Sequence, residues 1–166
     1  MQVLKHKQKQ SNTKGFRNLI TKTMMAANAK YTNVKFTNSS DQILKQNAVT
    51  IWDGPLGSVV PLVINVGSQV EFNQVGSLVG FECKFGETCC TLIVAWSNNG
   101  VSNKVYAQIL PAGPGTHTVE WAQIRAKLEK SGSNYDTGNQ FGYKCTLEID
   151  PKSGTPTMKG TFTTVN

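Results

Sequence analysis

One feature constrains this chain more than any other: side-chain polarity alternates with a period of two over many short stretches, separated by turn residues. Val34 and Phe36 alternate with Asn33 and Lys35. Val101, Val105, Ala107 and Ile109 alternate with Ser102, Lys104, Tyr106 and Gln108, and Tyr143, Cys145, Leu147 and Ile149 alternate with Lys144, Thr146 and Glu148. Successive side chains on a strand point to opposite faces, so this pattern describes half-buried strands with one wet side. The segment Cys90 to Trp96 is nearly all apolar and fits a strand covered on both sides.

Turn signals fall between these stretches, at Asn38–Asp41, Asp53–Pro55, Val66–Ser68, Lys84–Glu87, Ser97–Gly100, Ala112–Gly115, Ser131–Asn134 and Pro151–Gly154. Asn99-Gly100 is a hairpin dipeptide, because both residues tolerate φ > 0. Within the body only the stretch 122–130 has a helical pattern, with Ile124 and Leu128 four apart. A single helix cannot supply the crossovers of a parallel sheet. The expected fold is therefore all-β: an antiparallel sandwich of nine or ten short strands, with one short helix near 122–130 and one near the N-terminus.

Charge divides the chain in two. Its net charge is +7, from 17 basic and 10 acidic residues. Residues 1–30 hold Lys5, Lys7, Lys9, Lys14, Arg17, Lys22 and Lys30 and no acid, so residues 31–166 are balanced. The high overall pI thus belongs to an arm, and the body has no excess of charge to track a phosphate backbone. In the arm Phe16, Leu19, Ile20, Met24 and Ala27 fall on one helical face. Three readings of it stay open: a helix docked on the core behind a solvated tail, an organelle presequence, or an arm for nucleic acid or an anionic membrane using Lys5, Lys7, Lys9, Lys14, Arg17 and Lys22. Residues 1–30 are read as this arm and 31–166 as the sandwich domain. The richest apolar stretch, Val59–Val66, is interrupted by Pro61 and Asn65 and is far short of a bilayer span.

Catalytic chemistry has little to stand on. Of two histidines, His6 lies in the arm and His117 stands alone, so a hydrolase using His117 is a minor alternative. No Gly-x-Ser-x-Gly elbow is present. Cys83, Cys89, Cys90 and Cys145 lack the Cys-x-x-Cys spacing of a zinc site and read as small apolar side chains of a cytoplasmic protein; a Cys83–Cys145 disulfide is the alternative if the chain is exported. Glu82, Glu87 and Glu148 form no recognisable pair. The Gly-rich segment Pro111–Thr116 lacks the Lys-Ser/Thr ending of a phosphate loop. Asn38-Ser39-Ser40 matches a glycosylation acceptor. Trp52, Trp96 and Trp121 are expected as core anchors. No metal and no cofactor is expected.

The segments Val34–Ser40, Ile51-Trp52-Asp53-Gly54-Pro55, Val94–Ser97 and Asn103–Ile109 together resemble the jasmonate-induced proteins of plants, over most of residues 31–166. The resemblance implies a soluble, mostly-β, non-enzymatic protein of stress and defence responses, and it brings no catalytic residues. The function that follows is a binding module acting through sandwich loops. Its contact residues are expected at Trp52, Asp53, Asn98, Asn99 and Asn103, and its partner is a glycan, a lipid head group or a protein.

Overall fold

A computed structural model describes residues 30–86, 90–111 and 118–165. The strands are β1 (Tyr31–Ser39), β2 (Leu44–Asp53), β3 (Val63–Ile64), β4 (Gln69–Val75), β5 (Leu78–Phe85), β6 (Cys90–Ser97), β7 (Lys104–Leu110), β8 (Asn134–Asp136), β9 (Tyr143–Ile149) and β10 (Thr157–Thr164). One helix, α1 (Trp121–Lys130), lies between β7 and β8. The strands form two five-stranded sheets, sheet A in the order β4-β1-β10-β9-β8 and sheet B in the order β3-β2-β5-β6-β7. The expected β-sandwich is thus present, and the helix lies where the Ile124/Leu128 spacing placed it. The N-terminal helix reading falls outside the described residues.

Neighbouring strands pair antiparallel, with one departure: β1 and β10 run parallel, from Asn33 opposite Thr157 to Ser39 opposite Thr163. Alternation along the strands explains the core. Val34 and Phe36 of β1, Cys145, Leu147 and Ile149 of β9, and Met158 and Phe162 of β10 face Phe81, Leu92, Val94 and Trp96 of sheet B. An aromatic seam ties the sheets together. The Phe36 ring meets Phe81 edge-on at 6.0 Å and Phe81 meets Trp96 at 6.2 Å. Phe85 of sheet B packs 4.9 Å from both Tyr143 and Phe162 of sheet A. Such pairs add directional attraction to the burial of their area. Gly160, in the middle of β10, leaves the space that the Phe36 ring fills.

Strand β6 is buried throughout its interior, on both faces, as its apolar run predicts. Its inner side chains join the inter-sheet core, while Ile93 and Ala95 on the outer face form a second cluster with Tyr106, Val119, Ile124 and Leu128. Helix α1 caps that outer face with the buried pair Ile124 and Leu128, and Arg125 and Glu129 form an i,i+4 ion pair on its wet side. Ser131 closes the helix by donating its Oγ–H to the Leu128 carbonyl at 2.7 Å.

The Asn99-Gly100 turn departs from the expected two-residue hairpin. Gly100 takes φ 78°, but Asn99 does not enter the left-handed region. The connection is a longer loop in which the Asn99 side chain accepts from the Val101 and Ser102 N–H groups, an Asx-type arrangement.

Candidate functional site

The loops that leave β2, β4, β6 and β9 gather at one end of the sandwich. The Ser77 N–H donates to the Asp53 carbonyl at 2.9 Å, and the Ser77 hydroxyl donates to the Asp53 carboxylate. The Asn98 N–H donates to the Ser77 carbonyl at 2.6 Å. The sequence-predicted residues Asp53, Asn98, Asn99 and Asn103 therefore do share one end of the fold. Their side chains are not equally available. Asn98 is 0% exposed and donates its amide to the carbonyls of Tyr31 (2.8 Å) and Gly154 (3.4 Å). Asn103 is 1% exposed and donates to the carbonyls of Asp150 and Ser153 while accepting from the Gly100 N–H. Both satisfy loop backbone that would otherwise be buried without partners. Asp53 and Asn99 face solvent, and the Asn99 carbonyl accepts from the Lys30 ammonium at 3.1 Å. Asn38 is likewise buried, donating to the carbonyls of Gln42 and Ile64, so the apparent glycosylation acceptor braces the β1–β2 turn.

Two bulges in β2 re-aim side chains outward. Pairing with β5 skips from Gln46 to Ala48 and from Ile51 to Asp53, leaving Asn47 and Trp52 without a directly opposed residue. Trp52 leans over Gly80 and meets Trp121 of α1 edge-on, with ring centroids 5.7 Å apart. The Asn47 amide donates to Glu82 at 3.1 Å, and Lys84 pairs with the same carboxylate oxygen at 2.9 Å. Of the three tryptophans only Trp96 is a full core anchor; Trp52 and Trp121 are half-buried on the outer face of sheet B.

The most unusual surface lies on the chain between β2 and β4, which sequence reasoning used only to exclude a membrane span. From Gly54 to Val70 there is no charged side chain. Val60 and Ile64, four residues apart, turn into the core and anchor the segment. Buried Gln74 of β4 clamps it, donating to the Gly57 carbonyl at 3.0 Å and accepting from the Val59 N–H at 3.1 Å. With those two residues turned inward, Leu56 is 96% exposed, Leu62 74% and Val59 55%, with Val63 and Val66 about half exposed. Lys45 stands opposite Val63 across the β2–β3 ladder. It also lines a shallow groove of about 430 Å³ with Ile43, Lys84 and Phe85. Asp41 lines the same groove and Lys84 is held by Glu82, so the aliphatic ridge borders a groove of mixed charge in which Lys45 is the cation without an ion pair among the described residues.

Cys83 and Cys145 both face the inter-sheet core as free thiols, so the alternative disulfide does not form here. Burial pushes the Cys83 thiol up to about 12 and Cys145 higher still, which removes both as nucleophiles. His117 and the arm residues Lys5, Lys7, Lys9, Lys14, Arg17 and Lys22 lie outside the described residues. Among the described residues no group of three or more His, Cys, Asp or Glu side chains converges on a common point, and no helix is long and apolar enough to cross a membrane.

No protein-family model matches the chain, and no curated protein matches it. Among solved structures the chain is similar in fold to the lipid-binding protein Nakanori, with a TM-score of 0.65 and 13% identity over 80% of this chain and 70% of that one. It is also similar to a lectin of Xerocomus chrysenteron, with a TM-score of 0.50 and 11% identity over 81% of this chain and 97% of that one. At these identities the likeness is one of fold.

Proposed function

We propose that this domain is a non-enzymatic binding module that attaches to lipid surfaces through the segment between β2 and β4. The observation that carries the reading is the run of solvent-facing aliphatic side chains, Leu56, Val59, Leu62, Val63 and Val66, on a charge-free segment pinned to the sandwich. Scattered single apolar side chains on a surface need no explanation, whereas five within eleven residues of one charge-free segment mark a surface that something covers. Lys45, which stands opposite Val63 and has no ion pair among the described residues, offers a cation to lipid phosphates beside the ridge. The similarity in fold to a lipid-binding protein favours the same occupant. The basic arm, with Lys5, Lys7, Lys9, Lys14, Arg17 and Lys22, adds a salt-dependent attraction to anionic headgroups. The resemblance to jasmonate-induced proteins supplies the setting, a plant stress or defence response.

The test is co-sedimentation with phosphatidylcholine vesicles, with and without phosphatidylserine. Binding is expected to both, stronger with phosphatidylserine at low salt. Leu56→Asp with Leu62→Asp should abolish it, while Lys5, Lys7 and Lys9 changed to Gln should reduce only the salt-sensitive part. Binding that survives the double aspartate variant refutes the assignment. So does a concentration-dependent dimer that the same variant breaks, because the ridge is then a self-interface.

A further inference from the structure

The outer face of sheet A carries a second feature, remote from the ridge in chemistry. Between β8 and β10 this face carries a shallow, open groove of about 590 Å³. The ladder registers place its side chains in two cross-strand rows. Asn134, Glu148 and Lys159 form one, and Asp136, Thr146 and Thr161 the other. Strand spacing separates neighbours within a row by about 4.8 Å, and alternate residues along a strand separate the rows by about 6.8 Å. The result is a grid of polar groups on rigid strands, sized for one or two sugar rings.

The electrostatics of the grid choose among ligands. Glu148 gives one oxygen to Lys159 at 3.0 Å. Asp136 is held by Lys144 at 2.8 Å and by the Gly138 N–H at 2.8 Å. Each carboxylate already has its cation, so the groove offers no uncompensated charge to an ion of either sign. It does offer groups that both donate and accept: the Thr146 and Thr161 hydroxyls and the Asn134 amide, with the second oxygen of Glu148 as a further acceptor. Ligand hydroxyls, which also donate and accept, are their complement. We infer that this groove binds a neutral oligosaccharide, independently of the lipid-facing ridge.

The experiment uses the full chain, isotope-labelled, titrated with soluble neutral oligosaccharides of glucose, galactose, mannose and N-acetylglucosamine and followed by amide NMR. At least one series is expected to shift signals of β8, β9 and β10. Thr161→Trp fills the groove and should abolish those shifts. Asn73→Trp, on β4 at the far side of the same face, should leave them intact. Glu148→Ala and Asn134→Ala should each weaken binding about tenfold, and they serve if Thr161→Trp loses its dispersed spectrum. No shifts with any series overturns the inference, as does binding that Thr161→Trp and the alanine variants leave unchanged. The Leu56→Asp, Leu62→Asp variant should keep full sugar binding, so failure of the lipid reading and failure of this one are read separately.

Discussion

Gly160→Ala adds a single methyl group to the centre of sheet A, and the structure fixes what that methyl meets. A Cβ at this position would lie 2.5 Å from Cδ2 and 2.7 Å from Cε2 of Phe36, and 2.8 Å from Cδ2 of Leu147. Real Cβ contacts do not come this close, so the Phe36 ring must move. It has little room, since it is fully buried and held edge-on against Phe81. Overpacking of this kind costs about 1–3 kcal/mol. Against it stands the smaller entropy of an unfolded alanine, about 0.4–1 kcal/mol in favour of the variant. The net loss is about 1–2 kcal/mol, a fall in Tm of roughly 3–8 °C for a domain of this size. The same substitution at Gly80 is the control. There the Cβ would meet Trp121 Cζ3 at 2.9 Å and the Trp52 ring at 3.3 Å, but both indoles are half-exposed and can swing outward. Gly80→Ala should cost less than about 1 kcal/mol while changing tryptophan fluorescence. Denaturant titration of both variants, and of Gly160→Ala in a Phe36→Leu background, completes the cycle. If the ring is the obstacle, the alanine costs much less once the ring is gone. A Gly160→Ala protein as stable as the parent, or a cost unchanged in the Phe36→Leu background, refutes the reasoning.

Two further outcomes follow from titratable groups. The hydrogen bond from Lys144, followed by that from the Gly138 N–H, holds the Asp136 carboxyl below its ordinary range. Its folded pKa is thus lower than its unfolded value of about 3.9, so its contribution is present above that pH and is lost as pH falls through the folded pKa. Asp136→Asn should therefore flatten the acid limb of the stability profile below about pH 4. The difference should be small and should fade in high salt, because the pair is largely exposed. The thiols give a clearer signal. Cys83 and Cys145 should resist alkylation in the native state and react only at the rate of global unfolding, whereas half-buried Cys90 should be labelled sooner. Site-resolved mass spectrometry checks the order; early labelling of Cys145 would mean that the core opens locally.

Elements specified by their own neighbours were readable from the sequence, and elements specified across the fold were not. The run Cys90–Trp96 announces a doubly covered strand because no position in it could face water. The spacing of Ile124 and Leu128 announces the buried face of a helix because nothing else near it alternates. The bulges at Asn47 and Trp52 leave no local trace, since they arise from the register between β2 and β5. For the same reason the Trp52–Trp121 contact was invisible. Asn98 and Asn103 misled in a more instructive way. Polar turn residues usually face solvent, so they read as contact residues, yet here they are buried to satisfy loop carbonyls. The ridge shows the converse. Residue type alone does not reveal that Leu56 and Leu62 face outward, because that depends on Val60, Ile64 and Gln74 fixing the segment from beneath.

The parallel ladder between β1 and β10 sets a schedule for the growing polypeptide. These two strands form the middle of sheet A, yet almost the whole domain separates them in sequence. While the ribosome is still making β9, β1 can pair only with β4, and its other edge stays open with Phe36 beside it. Sheet B, whose strands from β2 onward are joined by nearby connections, can assemble in the meantime. Phe162, which packs against both Phe85 and Tyr143, arrives with β10 and closes the seam. Until then the unfinished chain displays an unpaired strand edge, the kind of surface through which incomplete chains aggregate.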